Sequence, residues 1–282
     1  MKVFQKVADI QAFISRKKDQ NLSIGFVPTM GALHEGHLAL LSACKKQCDI
    51  AVVSIFVNPT QFNDKKDLEQ YPRTIARDMQ LLANKGCDVL FYPEASEIYP
   101  AGAITRSYDL GELEKVFEGA YRPGHFQGVC QVVDRLFIII KPNQAFFGQK
   151  DYQQCMVIKK LIELTPAFSS ININIVPTMR GESGLALSSR NMLLSGEERK
   201  NAATIYQSLL FMKDKLSPGP VKTIADEATR QLELKGFKPD YVGIADASTL
   251  EPVTEWDGKK PLVALIAAFT GPVRLIDNLV IA

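Results

Sequence analysis

Residues 28–40, PTMGALHEGHLAL, follow the apolar run LSIGFV and place His34 and His37 three positions apart, with Gly36 between them. The apolar run predicts a buried strand, and the apolar spacing of HLALLSACKKQ predicts a helix after the glycine-containing turn. In an open parallel sheet, ligands bind beyond the carboxyl ends of the strands, where the N–H groups that begin the next helix face an anion. Residues three apart share a helical face, so both histidines are expected to project toward that anion.

Two interpretations of the histidine pair are open. In the first, the imidazoles hydrogen-bond phosphate oxygens and support charge that develops on them. In the second, they only cap or pack the helix. The occurrence of two histidines with Gly36 at a strand–helix junction favours the first interpretation. A zinc site is not indicated, because two histidines alone do not complete one and no third ligand lies nearby in the sequence.

The composition is that of an ordinary globular protein, with 282 residues of which 46% are hydrophobic and 23% are charged. Thirty-three basic and 31 acidic residues give a formal charge of +2, which predicts no nucleic-acid partner. The five cysteines are scattered and form no CxxC pair, which is typical of reduced thiols. Because neither a signal peptide nor a membrane span is visible, we expect a soluble cytoplasmic protein with no membrane partner.

Short apolar runs alternate with helical patterns over the first two thirds of the chain, and this alternation predicts a parallel sheet. The predicted strands are 22–27, 50–57, 88–93, 145–148 and 170–176, the last near an edge, and the predicted helices include 67–86, 128–142 and 151–165. Two helical stretches, near 196–216 and 220–236, and three strand-like runs follow. The predicted fold class is α/β, a Rossmann-like doubly wound parallel sheet with a second, smaller α+β C-terminal domain. We expect domains of 1–177 and 178–282.

Polar residues follow two further predicted strands. FVNPTQF (56–62) contains Gln61, whose amide can bind a hydroxyl or a carboxylate without bringing charge. FGQKDYQQ (147–154) opens a helix, so Lys150 is expected to point at the site, with Gln154 one turn later. The third histidine of the chain lies in RPGHF. An alternative for NPTQ is a simple turn, because Asn-Pro favours turns.

The H-x-G-H turn resembles the signature of the class I aminoacyl-tRNA synthetase-like nucleotidyltransferase superfamily, in which it holds the ATP phosphates during adenylyl transfer. The companion loop of that superfamily carries serines and a lysine. Its candidate here is LSSRN (187–191), in which Arg190 takes the place of the lysine as the source of charge. Taken alone, LSSRN is typical of an ordinary polar loop that leads to the helix at Ser195.

Six motifs in order resemble the pantothenate synthetase (pantoate–β-alanine ligase) family: PTMGALHEGH, FVNPTQF, YPRT, RPGHFQGV, FGQKDYQQ and GLALSSRN. The resemblance implies an ATP-dependent ligase that condenses (R)-pantoate with β-alanine through a pantoyl adenylate, releasing AMP and pyrophosphate. It also implies Mg²⁺ and a homodimer. In this interpretation the first domain binds nucleotide and pantoate, and residues 179–191 form a lid segment.

The resemblance also implies roles for individual residues. His37 corresponds to the position treated as the acid catalyst, with His34, Lys150 and Arg190 as further catalytic residues. Gln61 and Gln154 correspond to the pantoate-binding glutamines, and Gln61 also lies against β-alanine. The metal ligands are not specified. The implied ATP-binding residues are Met30, Gly31, Ala32, Leu33, His34, Glu35, Gly36, His37, Gly148, Gln149, Lys150, Asp151, Met179, Leu187, Ser188, Ser189 and Arg190.

Three other functions are compatible with parts of this pattern. An adenylyltransferase for a phosphorylated acceptor needs cationic contacts, whereas the acceptor-side residues are the neutral Gln61 and Gln154. A truncated aminoacyl-tRNA synthetase conflicts with the charge balance and the remaining length. A non-catalytic nucleotide-binding module conflicts with the joint presence of His34, His37 and the two cations.

Overall fold

The computed structural model describes residues 1–63, 65–102 and 106–282 of the chain. Its contacts divide the chain into two units. The first comprises Met1–Leu110, Arg122–Gly148 and Gln154–Pro177, and the second comprises Gly111–Tyr121, Gln149–Gln153 and Thr178–Ala282. Two short segments from earlier in the chain therefore belong to the second unit. The assignment of 1–177 and 178–282 as domains stays a prediction.

The elements are numbered in chain order. The strands are β1 (Lys2–Phe4), β2 (Ile24–Thr29), β3 (Ile50–Ile55), β4 (Val89–Phe91), β5 (Gln144–Gly148), β6 (Asn172–Val176), β7 (Gly219–Pro220), β8 (Lys238–Asp246), β9 (Glu255–Trp256), β10 (Leu262–Thr270) and β11 (Val273–Val280). The helices are α1 (Val7–Asp19), α2 (Glu35–Gln47), α3 (Lys65–Gln70), α4 (Ile75–Asn84), α5 (Ala95–Ile98), α6 (Phe117–Tyr121), α7 (His125–Ile140), α8 (Tyr152–Leu164), α9 (Gly196–Asn201), α10 (Thr204–Lys215) and α11 (Lys222–Leu234).

In the described part of the first unit, a parallel sheet runs in the order β1-β4-β3-β2-β5-β6. The central strand β2 is covered on both faces, and Ile24, Phe26 and Val27 have no exposed surface. Burial on both faces explains why this strand reads as a continuous apolar run. The predicted Rossmann-like α/β class is confirmed, and β6 lies at the edge of the sheet as expected.

The predicted helix over 67–86 is wrong in its middle. The chain forms α3 and α4 instead, with YPRT between them. Pro72 has no N–H to donate and disfavours a helical conformation at Tyr71, so a continuous helix would be broken there. The predicted end of this helix at Gly86 is confirmed, since α4 ends at Asn84 and Gly86, two positions later, has φ +73°. The helical stretch predicted near 196–216 is likewise divided, into α9 and α10.

In the second unit, β8, β10 and β11 form an antiparallel sheet in the order β11-β10-β8. The helices α10 and α11 pack against this sheet around a core that includes Ile205, Leu209 and Leu232. This architecture confirms the predicted α+β character of the C-terminal part. Among the described residues of the whole chain, no helix has the length and hydropathy that crossing a bilayer requires.

A buried ion pair holds residues 111–121 on the C-terminal sheet. Arg274 of β11 donates to both carboxylate oxygens of Glu118, at 2.6 and 3.1 Å, and to Asp240 at 2.7 Å. The Tyr241 hydroxyl donates to Glu118 at 3.0 Å. Burial, and then the Glu118 charge, raise the pKa of Tyr241 well above its usual value. The Gln153 side chain accepts one backbone N–H of the same segment and donates to two of its carbonyl oxygens.

We predict that Glu118→Ala lowers the free energy of unfolding by about 3–5 kcal/mol, because the Arg274 guanidinium loses its bidentate partner in a buried setting. Urea denaturation measures the change. The matched control is Glu112→Ala, which removes an exposed ion pair to Lys115 in the same segment and should cost less than about 1 kcal/mol. Equal effects of the two substitutions would contradict the anchoring role of Glu118.

Candidate functional site

Three motifs noted in the sequence meet at one edge of the parallel sheet. The strand β2 pairs with β3 on one side and β5 on the other, so the carboxyl ends of these three strands are neighbours. The histidine turn follows β2, a 3₁₀ turn over Pro59–Gln61 follows β3, and Gly148 ends β5. This edge is where an open parallel sheet binds its ligands.

The turn after β2 takes an unusual backbone conformation. Gly31 and Ala32 have φ +84° and +48°, in the left-handed region that non-glycine residues rarely adopt. The carboxylate of Asp78, which is 1% exposed, accepts the N–H groups of Ala32 and Leu33 at 2.9 Å each. The Thr74 hydroxyl donates to the same carboxylate at 3.0 Å. Asp78 therefore holds the turn that delivers the histidines.

His34 and His37 cap the helix that they begin. The Nδ1 atom of His34 accepts the N–H of Gly36 at 3.1 Å, and the Nδ1 atom of His37 accepts the N–H of His34 at 3.3 Å. Their ring centroids are 4.1 Å apart. The capping role that the sequence left open as an alternative is therefore observed.

Capping determines the tautomer of both imidazoles. Because each Nδ1 atom accepts a backbone N–H, each neutral ring carries its hydrogen on Nε2. The two Nε2–H groups are then suited to donate to an anion, as are the first N–H groups of α2. Capping and phosphate binding are thus compatible functions of the same two side chains.

Gln61 lies beside the histidine turn. It is 8% exposed, and its Nε2 atom donates to the sulfur of Met30 at 3.0 Å. Asn58, which is 1% exposed, donates to the Gln61 Oε1 atom at 3.1 Å and so orients the amide. Met30 and Gln61, predicted from separate motifs, are therefore in direct contact. Gly128 permits α7 to lie close to the Gln61 turn, since a Cβ atom there would lie 2.3 Å from the Thr60 carbonyl oxygen.

The third histidine fixes the backbone of Gln61. The Nδ1 atom of His125 lies 2.7 Å from the Gln61 carbonyl oxygen, and its Nε2 atom lies 3.3 Å from an Arg122 guanidinium nitrogen. Arginine only donates, so the His125 Nε2 atom accepts and its Nδ1–H donates to Gln61. The RPGHF motif thus supports the Gln61 turn.

Gly148 and Gln154 belong to the first unit with the histidines. Gly148 ends β5 and accepts a hydrogen bond from the Cys155 thiol at 3.4 Å. Gln154 is half-buried in the first turn of α8.

All five cysteines carry thiols, and four of them are buried.

The remaining predicted site residues belong to the second unit, and they form two groups. In the first group, Gln149, Lys150 and Asp151 form a 3₁₀ turn. The Lys150 ammonium lies 3.3 Å from the Asp151 carboxylate, and the side chain of Lys150 is 18% exposed. These two residues, both predicted to bind ATP, are therefore neighbours.

The second group lies on a hairpin that begins at Met179. Leu187 N–H donates to the Met179 carbonyl at 2.9 Å, and Arg180 and Ala186 form an antiparallel backbone β-bridge. The glycine at the hairpin turn, Gly184, has φ +87°, and a Cβ atom there would lie 2.4 Å from the Tyr206 ring.

The predicted residues at the end of this hairpin begin another 3₁₀ turn. The Ser188 hydroxyl accepts the N–H of Arg190 at 3.2 Å and caps the turn, in which Ser189 is buried and Arg190 is half-buried. The polar loop also leads to the helix at Ser195, where a capping box with Glu198 begins α9. The polar-loop interpretation of LSSRN is therefore observed, and its nucleotide-binding interpretation stays a prediction.

Sequence reasoning missed Asp78 as a site residue. A signal was present, because Asp78 occupies the apolar stripe of α4 together with Ile75, Met79 and Leu82. A carboxylate on a buried helix face requires hydrogen-bond partners, and here they are the N–H groups of the turn.

Comparisons with known proteins agree with one another. The family model for pantoate-β-alanine ligase matches residues 2–280. The chain is 42% identical to the pantothenate synthetase of Porphyromonas gingivalis, with 99% of each chain covered, and 43% identical to that of Coprothermobacter proteolyticus, with 100% and 99% covered.

Solved structures of this family superimpose closely. The pantothenate synthetase of Thermus thermophilus has a TM-score of 0.87 at 41% identity, and the alignment covers 100% of this chain and 99% of the other. The pantoate-β-alanine ligase of Francisella tularensis, complexed with β-γ ATP and β-alanine, has a TM-score of 0.84 at 37% identity, with 99% and 97% covered.

We predict that Asp78→Asn speeds amide hydrogen exchange in residues 30–37, because one amide oxygen cannot replace both carboxylate acceptors. A buried N–H left without its acceptor costs about 1–3 kcal/mol. Exchange measured by mass spectrometry reports the change at the turn. Thr74→Ala is the matched control, since it removes only the hydroxyl that donates to Asp78 and should leave the turn protected. Unchanged exchange in Asp78→Asn would show that the turn holds itself.

Proposed function

The chain belongs to the pantoate–β-alanine ligase family, and on that premise we propose that it condenses (R)-pantoate with β-alanine through a pantoyl adenylate, releasing AMP and pyrophosphate. The observation that carries this proposal is the contact of the histidine turn with Gln61. It places two imidazole Nε2–H donors and one neutral amide at the same strand ends. The donors suit phosphate oxygens, and the amide suits a hydroxy acid.

The first proposed step activates the pantoate carboxylate, which is otherwise a poor electrophile. A carboxylate oxygen attacks the α-phosphorus of ATP, and the bond from that phosphorus to the bridging oxygen breaks, releasing pyrophosphate. No protein nucleophile is required. The side chains supply positioning and positive charge for the departing pyrophosphate, which are the largest contributions to such catalysis. Lys150 and Arg190 are proposed to provide that charge, and His34 and His37 are proposed to donate hydrogen bonds from Nε2, with His37 as the acid.

The second proposed step forms the amide. The neutral amine of β-alanine attacks the carbonyl carbon of the mixed anhydride, the bond to the AMP oxygen breaks, and the nitrogen loses a proton. The adenylate hydrolyses if water enters, so the enzyme must exclude water. We propose that Gln61 and Gln154 hold pantoate, that Gln61 also faces β-alanine, and that residues 179–191 act as the lid.

Three segments are proposed to bind the nucleotide. These are Met30–His37 with their backbone N–H groups, Gly148–Asp151, and Met179 with Leu187–Arg190. Mg²⁺ is proposed to enter with the nucleotide as MgATP, because this ion keeps several waters and is held largely by substrate phosphates. In the described residues, no group of three or more His, Cys, Asp or Glu side chains is arranged to hold a metal ion.

We also propose a cytoplasmic homodimer, as the family resemblance implies. The five cysteines are present as thiols, which fits a reducing compartment. Light scattering coupled to size-exclusion chromatography tests the dimer, for which a mass near twice 31.3 kDa is expected.

Pyrophosphate release from MgATP tests the reaction. We predict slow or single-turnover release with pantoate alone, none with β-alanine alone, and sustained formation of AMP and pantothenate with both. This pattern is expected because the amine can attack only after the adenylate forms. No release with pantoate would contradict the proposal and would require a screen of other carboxylate and phosphate acceptors.

We predict that His37→Gln lowers turnover by about 10²-fold or more, the usual cost of losing one preorganised donor to developing charge. Glutamine at this helix position can still pair with the N-cap backbone, as in a capping box, so the helix keeps its start. His37→Ala should lose the same activity and also some stability, because His37 accepts the His34 N–H. Comparing turnover with thermal unfolding separates the two roles. Near-normal turnover in His37→Gln would remove His37 from the chemistry.

A further inference from the structure

Two adjacent polar residues are buried in β11. Asp277 is 5% exposed and Asn278 is 3% exposed. Asp277 continues the row of residues at 273, 275, 279 and 281 that packs into the apolar core of the second unit. Adjacent residues of a strand point to opposite faces, so Asn278 points away from that row. A charged side chain in a row that packs into the apolar core destabilises the fold unless it is paired, so Asp277 requires a partner.

Asp277 pairs with the base of the hairpin that begins at Met179 and leads to Arg190. The Arg180 guanidinium donates to both Asp277 oxygens, at 2.5 and 3.0 Å. The same guanidinium lies 3.9 Å from the centre of the Tyr206 ring and donates to the Gly184 carbonyl at 3.1 Å. Burial raises the pKa of Asp277, and the Arg180 charge opposes that shift. The hairpin is thus bound to β11 through one planar, bidentate contact.

Asn278 binds the other proposed nucleotide segment of this unit. Its Nδ2 group donates to the carbonyl oxygens of Gln149 and Lys150, at 2.9 and 2.8 Å. Its own N–H donates to Asp277 at 2.8 Å, and its carbonyl accepts from Arg180 at 3.3 Å. The two contacts are therefore made by adjacent residues of β11.

We propose that Asp277 and Asn278 are positioning residues of the nucleotide site, which hold segment 149–151 and the base of the hairpin, at Arg180, in a single relative geometry. This inference rests on the proposed function, in which both segments bind ATP. Neither residue contacts the nucleotide in this proposal. They act through Lys150 and Arg190, whose placement decides whether their charges reach the phosphates.

The alternative is that Asp277 and Asn278, with the ion pair to Arg180, only stabilise the C-terminal sheet. A buried ion pair is weak evidence for stability, because well-packed apolar residues often serve as well or better. Displacement of reacting groups by about 1 Å can cost 10²-fold in rate. The two explanations therefore differ in what they predict for nucleotide binding at equal fold stability.

The test uses the full chain with Asn278→Ala and the near-isosteric Asn278→Leu, both of which remove the two donated hydrogen bonds. Asp240→Asn is the matched control, because it weakens the Arg274–Asp240 ion pair in the same unit. This pair does not contact the proposed nucleotide segments. The readouts are the thermal midpoint, MgATP affinity by calorimetry, and kcat with separate KM values for ATP and pantoate.

We expect both Asn278 variants to raise the KM and Kd for MgATP about tenfold or more and to lower kcat, with the KM for pantoate within about twofold of the unmodified chain. The control should keep its ATP affinity even where its thermal midpoint falls. If either Asn278 variant folds and keeps normal ATP affinity and kcat, the inference is overturned. If Asn278→Ala does not fold, Asn278→Leu decides.

The same experiment separates this inference from the proposed function. An unmodified chain that binds MgATP but forms no pantothenate would refute the ligase assignment, while calorimetry on the Asn278 variants would still decide the positioning role. Pantothenate formation with unaltered ATP parameters in the variants would refute only the positioning role.

Discussion

The carboxylate of Asp78 holds the feature on which the proposed chemistry depends. Two consecutive residues, Gly31 and Ala32, take left-handed conformations in the turn before His34. One buried carboxylate accepts the N–H groups of Ala32 and of the next residue. A left-handed alanine is costly by itself and persists only where its surroundings determine it. The orientation of the α2 N-terminus and of both imidazoles thus depends on a side chain that belongs to another helix, α4.

Much of the fold could be predicted because the burial of a strand determines the pattern of apolar residues along it. The strand Ile24–Thr29 is apolar throughout because it is covered on both faces, and the edge strand Asn172–Val176 alternates because it is not. The strand–helix alternation then predicts a parallel sheet, whose topology specifies where ligands bind. The histidine pair was recognisable for the same reason, since its spacing and its junction are local features.

The residues that hold the site were harder to predict, because their partners are distant in the chain. Asp78 lies 45 and 46 positions from the N–H groups that it accepts, and Asn278 lies 128 and 129 positions from its carbonyl partners. Only its place in an apolar row distinguishes Asp78 from a surface polar group, and nothing local distinguishes Asn278. The membership of residues 111–121 in the second unit depends on a pair 156 positions apart, Glu118 and Arg274. The break at Pro72, by contrast, was visible and was overlooked.

The strand β11 has a consequence for the order in which this chain matures. Arg274 and Asn278 lie four positions apart on one face of β11 and bind the two segments that the second unit takes from earlier in the chain, 111–121 and 149–153. A ribosome makes those segments, and the hairpin at Arg180, long before it makes β11, whereas domains generally fold as units beginning with the N-terminal one. The parallel sheet of a nascent chain can therefore be complete while the segments at Lys150 and Arg180 still lack their anchors. Binding competence would then be acquired late, in one step, when this strand emerges and pairs.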